Sequence, residues 1–176
     1  MPLKALLLST VVLFATPAFA QNAAPAPAAP AATMSVSDPA EFATKAAIGN
    51  MFELKSSALA QDHTQNADVL AFAEQMTTDH SKAAQDMLTA VTAEKVTPST
   101  GLDEPHQTQL DALEDVKDDQ FDAAYIEAQV KAHDEAVALF EGYAAGGPAG
   151  ALKDFASNTL PTLKMHQEHI HALAGK

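Results

Sequence analysis

Along residues 38–173, apolar residues recur every three or four positions, the spacing of amphipathic helices; strand-like alternation and hairpin dipeptides are nearly absent. The breaks between apolar runs set the elements. Asp38-Pro39-Ala40-Glu41 reads as a helix start, with Asp38 as cap, Pro39 at the first helical position and Glu41 completing a capping box. A first helix then runs from 39 to about 61, and Asn66 caps a second from 67 to about 94. Pro98-Ser99-Thr100-Gly101 breaks the chain, and Asp103 and Pro105 open a short helix over 104–116. A third long helix spans 119 to about 144 and stops at Gly146-Gly147; Pro148 starts a fourth that continues to about 173. Pro161 lies inside the fourth and is expected to bend it and free the carbonyl of Ser157. Ala, Leu, Glu, Gln and Lys, all good helix formers, dominate. The pattern predicts an all-α four-helix bundle over residues 38–176. The connector of ~24 residues between the second and third long helices is long enough to cross the bundle, with the short extra helix inside it.

The pattern ahead of residue 38 is different. Lys4 precedes an apolar stretch, Ala5 to Ala15, interrupted only by Ser9 and Thr10, and Ala18-Phe19-Ala20 is a small-x-small cleavage site. These are the parts of a secretory signal peptide over residues 1–20, with the mature chain starting at Gln21. The apolar stretch falls short of the ~20 residues a membrane span needs, and no later stretch approaches that length. Residues 21–37 are rich in Ala and Pro, which have little to bury and favour extended conformations, so they read as a flexible tether. The expected location is the periplasm or another extracytoplasmic compartment, free or at the envelope periphery.

Composition narrows the chemistry. The absence of Cys excludes disulfides, thiolate zinc and iron–sulfur sites, covalent haem attachment and a lipoprotein anchor. All ten basic residues are Lys and the net charge is −13. Without the guanidinium fork and with this charge, nucleic acid and anionic membrane surfaces are poor partners, and cations are the natural ones.

Candidate chemistry comes from polar residues standing in apolar stripes. In the second helix the stripe is Val69, Ala73, Met76, Ala84, Met87 and Val91, with His80 in its middle. His133 lies seven residues after Ile126 and seven before Phe140; His166 lies three after Leu163 and four before Ile170. Glu53 lies eleven after Phe42 and seven after Ala46. Each long helix thus presents one potential metal ligand on its inner face. Burying four such groups unpartnered costs ~1–3 kcal/mol each, so they either satisfy one another in a polar network or share a cation. Imidazoles with a carboxylate suit a divalent transition metal: Zn, Cu, Fe, Ni or Mn. Asp79, Asp122 and Asp134 are placed to orient the imidazoles as outer acceptors. At ~1.5 Å per residue, Glu53 and His80 lie ~16 and ~24 Å from the first turn, and His133 and His166 ~20 and ~29 Å from the last. A crossover bundle then collects them in a central band spread over ~10–15 Å, which favours a subset of ligands or a water-bridged network over one tight site. His63 falls in the first loop, His106 in the connector, His169 at the edge of a stripe and His171 on an outer face. The acidic run from Asp111 to Asp122 reads as a solvated face, and the helical methionines as core filler.

Met76-Thr77-Thr78-Asp79-His80, Phe121-Asp122-Ala123-Ala124-Tyr125-Ile126, His133, Thr159-Leu160-Pro161 and His166, together with Glu53 and His106-Gln107, resemble a bacterial envelope family catalogued as domain of unknown function 4142. The resemblance covers roughly residues 38–173. It implies an exported, ferritin-like four-helix fold without an established activity. Ferritin-like proteins often hold two metals through Glu and Glu-x-x-His pairs, but here Thr77 and Leu163 stand three residues before His80 and His166. That departure argues against a metal-dependent oxidoreductase. No phosphate loop, nucleophile elbow or metalloprotease helix is present. The leading expectation is a metal-binding envelope protein rather than an enzyme. The alternative is a structural or stress-related interaction module with a polar core.

Overall fold

The computed structural model describes residues 37–175. The expected signal peptide and nearly all of the Ala/Pro tether lie outside the described residues. Within them the chain forms α1 (Pro39–His63), α2 (Ala67–Glu94), α3 (Glu104–Glu114), α4 (Asp118–Gly146) and α5 (Ala151–Ala174), and no strand. None of these helices is long and apolar enough to cross a membrane.

The local signals act as expected at three starts. The Asp38 carboxylate accepts from the Glu41 amide at 2.8 Å, Asn66 accepts from Asp68 at 3.0 Å, and Asp103 accepts from His106 at 3.1 Å. Glu41 turns outward to Lys45, 2.6 Å away. Replacing Asp38 with Ala is expected to cost about 1 kcal/mol of unfolding free energy by denaturant titration; an unchanged midpoint would contradict that role for the cap.

The ends correct the reading in places. α1 continues to His63, so His63 belongs to a helix rather than the loop. The short helix stops at Glu114. α5 begins at Ala151, not at Pro148. The reason is tertiary: the Glu94 carboxylate, at the end of α2, accepts from the Leu152 amide at 2.7 Å and caps α5 from outside. A Cβ on Gly150 would meet that carboxylate at 2.5 Å, so a side chain there would push the Glu94 cap aside. α5 then runs unbroken through Pro161. Ala84, assigned to the inner stripe of the second helix, is exposed. Its place on that stripe faces outward because the helix buries a narrower face, through Val69, Phe72, Ala73, Met76, His80, Met87, Ala90 and Val91.

Each long helix packs on two others, in the ring α1, α2, α5, α4. One end of the core gathers Phe42 from the start of α1, Val91 from the end of α2, Tyr143 from the end of α4 and Leu152 from the start of α5. The opposite end gathers Ala60, Val69, Tyr125 and Leu173, with Leu113 of α3. All neighbours in the ring are therefore antiparallel, while α2 and α4 run parallel across the diagonal. Their connector must traverse the bundle, and α3 lies on its path against α1. This is the crossover topology of a ferritin-like bundle. The hydrophobic core is split into two clusters, and the polar side chains fill the gap between them.

Candidate metal centre

Between the two apolar clusters, Glu53 of α1, His80 of α2, His133 of α4 and His166 of α5 form a ring, one residue per long helix, all buried. A ring nitrogen from each His lies within 4.8 Å of one from each of the others. Glu53 Oε2 is 3.1 Å from His80 Nδ1, and Glu53 Oε1 is 3.6 Å from His133 Nε2. The axial spread expected from residue counting is therefore too large. Starting α5 at Ala151 rather than Pro148 brings His166 ~4–5 Å nearer the α4–α5 turn. The imidazoles then meet across the core.

Each ring is held from outside by one nitrogen. His80 Nδ1 faces Asn50 Oδ1 at 3.0 Å as well as Glu53; His133 Nδ1 donates to the carbonyl of Gln129 at 2.9 Å; His166 Nε2 faces Asp79 Oδ2 at 2.9 Å. These acceptors assign the proton to the anchored nitrogen. The other nitrogens, His80 Nε2, His133 Nε2 and His166 Nδ1, are buried without a hydrogen bond, as is Glu53 Oε1, which faces His133 Nε2 beyond hydrogen-bond distance. Three inward lone pairs with outward N–H groups fixed by carbonyl or carboxylate oxygens is how metal-binding histidines are oriented.

Electrostatics keeps the four groups neutral. Burial, reinforced by His133 and His166, holds the His80 imidazole well below its ordinary pKa. Burial brings His133 down to about 4, and lowers His166 against the opposing pull of Asp79. Burial pushes the Glu53 carboxyl up to about 8. At neutral pH the Glu53–His80 contact is then a neutral hydrogen bond rather than an ion pair. Uncharged imidazoles are ready to ligate, and Glu53 can give up its proton to a dication.

The surroundings are dry on one side and polar on the other. Phe72, fully buried, turns its ring against His133 and His166, with centroids 6.0 and 6.4 Å away. Beside Glu53, Gln129 donates to Ser56 Oγ at 2.8 Å, and Ser57 shares a hydrogen bond of 2.9 Å with the Tyr125 hydroxyl.

A family model described as "Domain of unknown function (DUF4142)" matches residues 23–173. The chain belongs to the DUF4142 family. The match takes in four helices whole and α5 up to residue 173, with all four ring residues of this DUF4142 chain. Among solved structures, a DUF305 fragment from Deinococcus radiodurans is similar, with a TM-score of 0.68 and 13% identity over 79% of this chain and 97% of that one. At that identity the likeness shows the fold alone. No curated protein matches the chain.

Of the three aspartates expected to orient the imidazoles, the structure places only Asp79 against one. Asp134 points to the surface, where His171 and Gln167 hold it at 2.9 and 2.7 Å. Asp122 stands eleven residues, roughly 16 Å, before His133 on α4 and reaches none of the three rings. The acceptors of His80 and His133 are instead Asn50 and the Gln129 carbonyl. Both have a signal in the sequence. Asn50 lies three residues before Glu53, on the same inner face, and Gln129 lies one turn before His133.

Proposed function

We propose that this DUF4142 protein is an exported, extracytoplasmic binding protein that holds one divalent transition ion in its core on His80, His133 and His166, with Glu53 as a further oxygen ligand. The observation that carries this reading is the set of three buried ring nitrogens without partners, each on a ring anchored from outside. A self-satisfied polar network has no use for these orphans, which cost ~1–3 kcal/mol apiece. A cation at their meeting point uses them all. A mainly imidazole donor set favours Zn, Cu, Ni or Fe over Mg or Ca. Export rests on the leader ending at Ala20, and periplasmic extracts should yield a chain beginning at Gln21.

Elemental analysis after dialysis against each metal tests the centre. One ion per chain is expected, lost on His80→Ala or His166→Ala. Failure to retain Zn, Cu, Ni, Fe or Mn leaves a structural polar layer and no metal protein.

Entry of the ion is expected between α2 and α5. There a groove reaches His80 and His166 and is lined by three acids, Asp79, Asp86 and Asp154, against one base, Lys82, which pairs with Asp86. On a chain of charge −13, such acids concentrate cations at the mouth. The double change Asp86→Asn, Asp154→Asn is expected to slow Zn association by about three- to tenfold at low salt, with little change in dissociation. Stopped-flow mixing with a zinc indicator reads this, and equal association rates would place the entry elsewhere.

A further inference from the structure

A second cavity, of about 250 Å³, lies against Glu53 and His80 and runs along the seam between α1 and α4 toward the start of α3. Its walls are mainly apolar, from Phe52, Met87, Leu139, Phe140, Phe155 and Leu163. Besides half-buried His106 and Thr159, its polar groups are of two kinds. Asn50, Glu53 and His80 stand within the bundle, whereas Lys45, Asp103 and Glu135 are exposed at the margin. The cavity is thus an apolar chamber with one buried polar end, the form that small-molecule sites take.

Three further observations point to an occupant. First, the chamber is large: an apolar cavity of about 150 Å³ holds benzene, so this one has room for a two-ring molecule. Second, Gly49 sits in the interior of α1, where glycine costs about 0.5–1 kcal/mol relative to alanine. No backbone demand explains it, because a Cβ there would meet nothing within 4 Å. With Ala132 and Ala136 of α4 also lining the cavity, small residues on both helices keep the seam open. Third, Asn50 and Glu53 both line the inner end of the chamber and offer an amide and a carboxyl to one polar group. The acidic margin and the overall negative charge disfavour an anion.

We propose that this cavity binds a neutral, largely apolar organic molecule of roughly ten heavy atoms carrying one hydroxyl, the hydroxyl lodging at the Asn50–Glu53 end. All of its contacts are protein groups, so binding does not require the metal ion, and the two readings can fail separately.

The probe is 2-naphthol, followed by its own fluorescence, titrated with the metal-free mature protein. Saturable binding at one site is expected, with a Kd on the order of 10–100 µM for a ligand of this size. Gly49→Leu puts a side chain into the chamber while raising helix propensity. It should weaken 2-naphthol at least tenfold and leave Zn retention at the wild-type level. Ala136→Phe blocks the seam from the opposite helix and should do the same, so that misfolding of either variant, judged by circular dichroism, leaves the other to decide. Naphthalene, lacking the hydroxyl, should bind at least fivefold more weakly. Absence of saturable 2-naphthol binding, wild-type affinity in the folded variants, or equal affinity for naphthalene would each overturn the proposal.

Discussion

Zinc added to the metal-free mature protein should raise its melting temperature by about 10–15 °C. Binding to the folded state alone stabilises by RT ln(1 + [L]/Kd), about 4 kcal/mol at a thousandfold excess over Kd. For a domain of this size each kcal/mol moves the midpoint by roughly 3–4 °C. A tight site is expected because its costs are met in advance: Asn50, the Gln129 carbonyl and Asp79 already orient the rings, and no imidazole has to lose a proton at neutral pH. Only Glu53 must release one. His133→Ala should abolish the shift, since it removes the fully buried member of the ring and leaves two imidazoles on α2 and α5. A midpoint unmoved by Zn, Cu, Ni, Fe and Mn in the wild-type protein would end the metal reading.

The metal-free protein should be most stable near pH 7 and lose stability on both sides. The acid limb belongs to His80, His133 and His166. Their folded pKa values lie below 6.5, that of His133 at about 4, so as pH falls through 6.5 the unfolded chain takes up protons that the folded chain does not, and stability falls. Each contributes up to about 1.4 kcal/mol per pH unit within its window. The alkaline limb belongs to Glu53. Its folded pKa of about 8 stands above the ordinary 4.5, so the folded state keeps a proton that the unfolded state has released, and stability falls as pH rises between those values. Below about pH 7 three histidines outweigh one glutamate; above it Glu53 dominates as the unfolded histidines finish titrating. Glu53→Gln should remove the fall from pH 7 to 8, and bound metal should do the same by replacing the proton. Denaturant midpoints across pH 4–9 measure this. Stability still rising from pH 7 to 8 in the metal-free wild type would show that Glu53 is not held protonated.

The inner stripes of the sequence already named the four residues of the ring, because helical periodicity fixes which side chains face inward whatever the partner. Caps at Asp38, Asn66 and Asp103 were legible for the same local reason. Distances were not. Counting residues from the turns set the four groups too far apart, since it began the last helix at Pro148. The true start depends on Glu94, which is 58 positions from the amide it caps. The roles of Asp122 and Asp134 were also misassigned. Acidic residues near a histidine in sequence need not lie near its ring, and Asp134 is drawn off by His171 on α5.

By itself the sequence determined the helices, the inward placement of Glu53, His80, His133 and His166, and the acidic surface. These follow from nearest-neighbour chemistry and a repeat of 3.6 residues. Only the tertiary structure decided that the three imidazoles meet within 4.8 Å, which nitrogen of each faces inward, and that a chamber opens beside Gly49. Those depend on helix register, on hydrogen bonds between helices and on packing across the crossover, relations between segments that no local pattern records.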